Sequence, residues 1–144
     1  MKFISSSYDA NTGESKVIMQ HLGIKFEGSA KIHPEDIENK SEYAGGSYAE
    51  TRATIKALKY ERKIAKTEAD NMIAFVKSCE CYSKFDKNSD TAKVMYRQLN
   101  RRIKKVNDLA DQINNLYMSL EKAIIGRSAV IKALQKKKMS KEDN

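Results

Sequence analysis

The sequence is poor in the residues that break, cross-link or ligate a chain. Its 144 residues include one proline, six glycines, two cysteines, two histidines and no tryptophan. Cys79 and Cys81 lie two residues apart in a helical pattern, so their side chains point away from each other. With no second cysteine pair, they predict neither a disulfide framework nor a zinc site. We expect reduced cysteines with a structural role.

Long hydrophobic runs are also missing. No apolar stretch approaches the length of a membrane span, and the N-terminus has no hydrophobic signal-peptide core. No phosphate-binding loop, dinucleotide fingerprint or metal-ligand spacing is present, and neither His21 nor His33 has a nucleophile placed by a motif. These absences predict a cytoplasmic protein that does not span a membrane, needs no cofactor and is not an enzyme.

Positive charge is abundant and unevenly distributed. The net charge is +8, with 40% hydrophobic and 32% charged residues, which suits one small helical domain. Residues 127–144 hold six basic and two acidic side chains, a net charge of +4 and half of the total. Such ends are usually solvated, so we expect a basic, frayed tail after Gly126.

The N-terminal third has the pattern of three short strands. Residues 2–8 and 15–22 form apolar-rich runs separated by a turn that ends at Gly13. Residues 24–32 alternate apolar and polar side chains, with Gly28 marking a bulge or a close contact. A small antiparallel β-meander is expected over residues 1–33.

The glycine pair at residues 45 and 46 separates this region from a helical remainder. HPED at residues 33–36 suits a short helix or loop over residues 34–46. Ser47 follows the glycines as a predicted helix N-cap, and Glu50 stands three residues later in capping-box spacing. Arg52 would then lie one turn into the helix, where free amides favour an anion.

Two long helices are predicted, each with apolar side chains alternating at three and four residues. The first runs from about Tyr48 to about Cys81, and the second from about Thr91 to about Ile125. The row of apolar positions on the first helix consists of Ile55, Leu58, Arg62 (its one polar member), Ala65, Ala69, Met72, Val76 and Cys79. The row on the second consists of Ala92, Tyr96, Leu99, Ile103, Val106, Ala110, Ile113, Tyr117, Leu120 and Ile124. This spacing is typical of coiled coils, and the short break at residues 82–90 favours an antiparallel hairpin.

The predicted fold class is therefore α+β. A small N-terminal antiparallel sheet is followed by a long, antiparallel, coiled-coil-like two-helix hairpin, in one domain over residues 1–126 with the hairpin at 47–126. Ile64, Ile73, Phe75, Met95 and Leu109 lie beside the apolar rows, and one hairpin cannot cover them. We expect a homo-oligomer, at least a dimer.

A basic face on the second helix is the main binding signal. Lys93, Arg97, Arg101 and Lys104 share one side of that helix, and arginine suits phosphate oxygens. Phe85 and Asn88 lie just upstream, where a ring can stack on a base and an amide can contact a base or ribose edge. The alternative is a solvated basic face beside an aromatic that closes the hairpin. Neither the aromatics nor the basic path favours duplex nucleic acid.

Three segments resemble phage-encoded Thoeris anti-defence proteins of the first type. They are KFISSSYDANTGES at the N-terminus, KIHPED at residues 31–36, and residues 41–62 with Tyr-Ala-Glu-x-Arg-Ala at their centre. The resemblance covers most of residues 1–125, and HPED followed by residues 41–62 is its most specific part. It implies an N-terminal antiparallel sheet, long C-terminal helices and a homo-oligomer, a dimer or a hexamer.

The function implied by this resemblance is capture without catalysis. Members of the family bind and sequester cyclic ADP-ribose isomers in the host bacterial cytoplasm, and some also hold cyclic di- or trinucleotides. The resemblance implies a pocket between protomers that uses arginines for phosphates, an aromatic ring for adenine and an asparagine. On this sequence those positions are Arg52, Phe85, Asn88, Arg97 and Arg101; only Arg52 is fixed by a motif, and the others follow from order and spacing.

Two other functions remain open from the sequence. A coiled-coil interaction protein, such as an inhibitor of a host defence enzyme or a phage structural component, would need the same apolar rows. A nucleic-acid-binding phage protein would account for the net charge.

Overall fold

The computed structural model describes residues 1–32 and 41–142 and has an α+β architecture, as the sequence predicts. A three-stranded antiparallel sheet is followed by two long helices that pack against each other. The strands are β1 (Lys2–Asp9), β2 (Glu14–His21) and β3 (Ile24–Lys31), in the order β1-β2-β3. The helices are α1 (Glu42–Glu80) and α2 (Asp90–Glu142). The predicted short helix or loop falls partly on residues 33–40, outside the described residues.

The three strands lie within one residue or so of their predicted bounds because the turn residues define them. Gly13 and Gly23 both have positive φ, at 70° and 77°, which glycine adopts without steric cost. In the first turn the Asp9 carboxylate accepts the Asn11 amide at 2.9 Å, and this bond lowers the pKa of Asp9. The register of β1 on β2 shifts between Phe3 and Ser5, so Ile4 is a bulge residue.

The predicted start of the first helix is wrong. α1 begins at Glu42, and Ser41 is its N-cap: the Ser41 hydroxyl accepts the Ala44 amide at 3.1 Å. Ser47 lies inside the helix, where its carbonyl accepts the Thr51 hydroxyl at 3.0 Å. The glycine pair therefore does not break the helix, because contact with the sheet outweighs the low helix propensity of glycine.

That contact is close because both surfaces carry small residues. A Cβ on Gly28 of β3 would overlap the backbone of Ala49 and Ala53 on α1. A Cβ on Gly45 would overlap the hydroxyl of Ser15 on β2, a side chain that is 1% exposed. Gly28 is thus a site of close approach and not a bulge. The core beneath the helix is formed by Val17, Met19, Ala30, Ala49 and Ala53.

The break between the helices ends in a helix N-cap. α1 ends at Glu80, close to its predicted end, and the chain turns over residues 81–89. The Ser89 hydroxyl accepts the Ala92 amide at 3.2 Å, so Ser89 is the N-cap of α2. Both cysteines are free, Cys79 half-buried and Cys81 exposed.

The apolar row predicted for α1 is buried along most of its length, whereas the row predicted for α2 is only partly buried. Met95 and Leu109, which were placed beside the row, are buried instead, while Ile103, Tyr117 and Ile124 are exposed. A strict 3.5-residue spacing drifts by about 20° per heptad around a straight α-helix. Over four heptads this drift reaches about 80°, so a strict row does not stay in the contact along the whole helix.

The predicted end of the second helix near Ile125 is also wrong. α2 continues through Gly126 to Glu142, and Ile131 on this extension is 5% exposed. Burying an isoleucine side chain stabilises by roughly 1.5–3 kcal/mol, whereas a glycine inside a helix costs about 1 kcal/mol. The burial of Ile131 therefore outweighs the cost of Gly126.

The chain divides into two compact units. The first, which we call the sheet unit, comprises Met1–Ala57 and Asn114–Asn144; the second, the hairpin unit, comprises Leu58–Ile113. The hairpin unit has its own core of Met72, Val76 and Met95. None of the helices in the described ranges has the length and apolar character needed to cross a membrane.

Candidate functional site

The five residues predicted to bind a ligand fall in both units. Arg52 belongs to the sheet unit, whereas Phe85, Asn88, Arg97 and Arg101 belong to the hairpin unit. Phe85 and Asn88 line one open depression, which neither Arg97 nor Arg101 lines. Within one unit, the structure thus brings together only two of the five.

Arg52 is held against the β3 edge of the sheet. Its Nη1 donates to the Ser29 carbonyl at 2.7 Å, and one turn later the Lys56 Nζ donates to the Glu27 carbonyl at 2.6 Å. Since α1 begins at Glu42, Arg52 lies about three turns inside the helix and not at its start. The proposed contribution of free helical amides at Arg52 is therefore wrong.

Arg52 also lines a cavity of the sheet unit with a volume of about 270 Å³. Two further cations line this cavity, Lys31 at the end of β3 and Arg127 on α2. Its remaining described walls are the backbone or side chains of Ala30, Ile32, Tyr48, Ile124, Ser128 and Ile131. Among the described residues, three cations and no carboxylate thus line this largely apolar cavity, which we call the cationic cavity.

A smaller recess of about 90 Å³ continues the cationic cavity toward the N-terminus of α1. It shares Lys31, Tyr48 and Arg127 with the larger cavity and reaches Ser41 and Gly45. Tyr48 is fixed between the two, because its hydroxyl donates to the Ala123 carbonyl at 3.2 Å.

The chemistry of the cationic cavity suits an anion with an apolar or aromatic body. A guanidinium offers several N–H donors in one plane and matches the oxygens of a phosphate. Arg52 donates one guanidinium N–H to the Ser29 carbonyl, and the same guanidinium has further N–H donors. Ligand pockets usually occupy roughly 300–1,000 Å³, so this cavity fits part of a nucleotide, such as its pyrophosphate and a ribose.

The depression in the hairpin unit has a different character. Phe85 packs against the core of that unit and meets the Tyr96 ring edge-on, with centroids 6.5 Å apart. Phe85 therefore closes the hairpin, which is the role that the alternative interpretation of the sequence gives to it. Asn88 is exposed, and its backbone amide donates to the Asp86 carboxylate at 2.9 Å.

Acidic side chains reduce the suitability of this depression for a phosphate. Glu80 and Asp86 line it together with Lys87 and Tyr96. Burial, and then the nearby Glu80 carboxylate, raise the pKa of Tyr96, so its hydroxyl stays protonated at neutral pH. Two carboxylates beside one lysine favour a cation or a neutral group over a phosphate.

Arg97 and Arg101 lie on the exposed face of α2. Both side chains are exposed, and within residues 1–32 and 41–142 neither makes a hydrogen bond or an ion pair. The neighbouring Lys104 and Lys105 are paired, with Asp108 and Glu61 respectively, at 3.9 Å each. The two arginines are thus available to an anion, but they do not line the depression formed by Phe85 and Asn88.

Sequence reasoning missed three residues of the cationic cavity, namely Lys31, Tyr48 and Arg127. Arg127 was assigned to the tail because Gly126 was taken as the end of the helix. The signal that could have found it is Ile131, which continues the apolar spacing of Leu120 and Ile124 past the glycine. Lys31 and Tyr48 could not be joined to Arg52 without knowing how α1 lies on β3.

Comparison with known proteins adds no family to this description. No protein-family model, no curated protein and no solved structure matches the chain.

Proposed function

We propose that this protein binds and sequesters a cyclic ADP-ribose isomer, in the host bacterial cytoplasm, without cleaving it. The observation that carries the proposal is the cationic cavity, which Lys31, Arg52 and Arg127 line together. The resemblance to Thoeris anti-defence proteins supports the same ligand class, because its motif-anchored arginine, Arg52, lines this cavity.

The two kinds of groups that line the cavity match two parts of such a ligand. The cations suit the pyrophosphate, which carries most of the charge. The Tyr48 ring and the apolar walls suit a ribose or base face, since an aromatic ring next to arginine can stack on a base. An anion without an aromatic body would contact only the cations.

The size of the cavity favours completion by a second copy. At about 270 Å³ it holds part of a cyclic ADP-ribose isomer, so the rest of the ligand would contact another surface. We propose a homo-oligomer, a dimer or a hexamer, in which a second protomer supplies that surface. Phe85, Asn88, Arg97 and Arg101 remain predicted ligand contacts in this assembly, and cyclic di- or trinucleotides remain proposed additional ligands.

Capture without cleavage follows from the chemistry of the described lining residues. Arginine and lysine side chains are cationic at neutral pH, and arginine cannot act as a general base. The tyrosine hydroxyl of Tyr48 is engaged with a backbone carbonyl. No carboxylate or histidine lines the cationic cavity in the part of the chain that the structure describes, so none of these lining residues offers a bound phosphodiester or glycosidic bond a carboxylate or imidazole base.

A second candidate function, a coiled-coil interaction protein that inhibits a host defence enzyme, rests on one observation. Phe75 on α1 is 56% exposed, and Ile103, Tyr117 and Ile124 are exposed at positions of one heptad row on α2. Such a row could receive another helix.

Calorimetric titration distinguishes these functions. The full chain is titrated with cyclic ADP-ribose isomers, with linear ADP-ribose and with a short DNA duplex. We expect saturable binding of a cyclic isomer, weaker binding of the linear compound and none of the duplex. Binding of the duplex alone would support a nucleic-acid-binding protein, and binding of none would favour an interaction protein.

A further inference from the structure

The two edges of the sheet differ in how their backbone groups are satisfied. On the β3 edge, the carbonyls of Glu27 and Ser29 accept hydrogen bonds from Lys56 and Arg52 of α1. On the β1 edge, no side-chain donor in the described part of the chain reaches a backbone carbonyl, and every β1 residue except Ile4 and Tyr8 is exposed. An open edge of this kind is a template for another strand.

The turn after β1 shows which backbone groups face outward. The Asp9 carbonyl accepts the Gly13 amide at 2.7 Å, so it points toward β2. The backbone amide and carbonyl of successive residues point to alternate sides of a strand. The amides and carbonyls of Ser5 and Ser7 therefore also point toward β2. Ser6 and Tyr8 therefore present their amides and carbonyls on the open edge.

The bulge at Ile4 places matching side chains on each face of β1. Phe3, Ser6 and Tyr8 pair with Met19, Val17 and Ser15 of β2, so they share the face that packs on α1. Lys2 and Asp9 pair with Gln20 and Glu14, on the opposite face. Without the extra residue, Phe3 and Lys2 would exchange faces.

This pattern is complementary to itself. We propose that the β1 edge is a self-association surface, at which β1 strands of two copies pair antiparallel about a two-fold axis at Ser6. Ser6 then faces Ser6 of the second copy, and Ser5 faces its Ser7. Phe3 faces Tyr8 of the second copy on one side of the joined sheet, and Lys2 faces its Asp9 on the other.

Each of these pairs is of a kind that stabilises antiparallel strands. Cross-strand aromatic pairs and opposite-charge pairs are both favourable, and the two-fold axis makes each pair twice. The bulge does not disturb the register, because both copies carry it and Ile4 is skipped in each strand. A parallel arrangement would instead place Lys2 beside Lys2 and Asp9 beside Asp9.

Engineered cross-linking at the axis tests the proposal directly. In the full chain with Cys79→Ser and Cys81→Ser, the variant Ser6→Cys brings two thiols opposite each other. Hydrogen-bonded antiparallel pairs have Cα atoms about 5.5 Å apart, within the disulfide range of about 4.4–6.8 Å. The matched control is Ser5→Cys in the same background, whose thiols lie two residues out of register on the other face.

Mild oxidation at low micromolar protein should cross-link Ser6→Cys at least several-fold more than Ser5→Cys. A second variant, Ser6→Pro, removes an outward amide without breaking the β1–β2 ladder, and should reduce the mass of the largest species in sedimentation while circular dichroism is unchanged. Equal cross-linking of the two cysteine variants, or an unchanged mass for a folded Ser6→Pro, would show that the bulge and Lys2 keep this edge unpaired. If Ser6→Pro does not fold, the cysteine pair of variants alone decides.

Discussion

Arg52 and Lys56 make equivalent contacts with the sheet and differ in what else they contact. Both donate from α1 to a β3 carbonyl, at 2.7 Å and 2.6 Å. Only Arg52 lines the cationic cavity. Lys56 is therefore a control for Arg52, because it makes the same kind of sheet contact without lining the cavity.

Arg52→Ala should weaken binding of a cyclic ADP-ribose isomer by roughly tenfold to a hundredfold. A charge-assisted hydrogen bond is worth about 1.5–3 kcal/mol, which corresponds to that range of affinity. Arg127→Ala should have an effect of the same order, and Arg52→Lys an intermediate one because the charge remains without the planar fork. Calorimetry measures all three.

Lys56→Ala is the control for the lost sheet contact, and Lys137→Ala is the control for net charge. Both should bind as the unaltered chain does. Arg97→Ala and Arg101→Ala test the face predicted from the sequence, where the same tenfold to hundredfold loss is expected if the second copy completes the pocket through α2. A loss confined to Arg97 and Arg101 would place the site on the hairpin unit and contradict the assignment to the cationic cavity.

At the scale of single elements, the start of α1 depends on one of two adjacent glycines. A Cβ on Gly45 would overlap the Ser15 hydroxyl, whereas a Cβ on Gly46 would meet nothing within 4 Å. Overpacking at a tight contact typically costs about 1–3 kcal/mol, and replacing a helical glycine with alanine gains about 1 kcal/mol. The two changes should therefore have opposite signs.

Gly45→Ala should lower the melting temperature, and Gly46→Ala should raise it. Adding Ser15→Ala to Gly45→Ala removes the overlapped oxygen and should recover part of the loss. Thermal unfolding followed by circular dichroism at 222 nm, about the wavelength of the helical signal, measures each variant. A similar rise for both glycine variants would mean that α1 does not lie against β2 at Ser15.

The elements also show how far sequence reasoning reaches. The three strands were predictable because their alternation and turn residues are local signals. The apolar row from Ile55 to Val76 was predictable because its spacing matches a buried helix face. The start of α1 was not predictable, since Gly45 and Gly46 signal a break locally, whereas the close contact of Gly45 with Ser15 depends on the tertiary structure. The predicted end of α2 was wrong because Gly126 also signals a break locally. Arg127 was therefore placed in the tail, and the cationic cavity was not predicted.

At the scale of the whole molecule, exposed apolar side chains support the proposed homo-oligomer. Phe75 on α1 is large and exposed, and Ile103, Tyr117 and Ile124 are exposed at positions of one heptad row on α2. Single exposed apolar residues need no explanation, whereas a row of them usually contacts a partner.

The chain should therefore sediment as a dimer or a larger oligomer at low micromolar concentration, and it should lose helicity when diluted toward monomer. Ile103→Glu and Tyr117→Glu should reduce the assembled fraction, because a carboxylate in a contact between apolar faces is costly to desolvate. Val130→Glu, on an exposed position outside this heptad row, is the control. A compact, fully helical monomer at the same concentration would contradict the proposed oligomer.

The central claim is capture of an intact cyclic nucleotide, and one measurement tests it most directly. The protein is incubated in excess with a cyclic ADP-ribose isomer and separated by ultrafiltration, and the retained fraction is heated and analysed by chromatography. We expect the ligand to disappear from the filtrate and to return from the denatured protein chemically unchanged. A ligand that stays in the filtrate would contradict binding, and a linear or hydrolysed product in the heated fraction would reveal catalysis instead of sequestration.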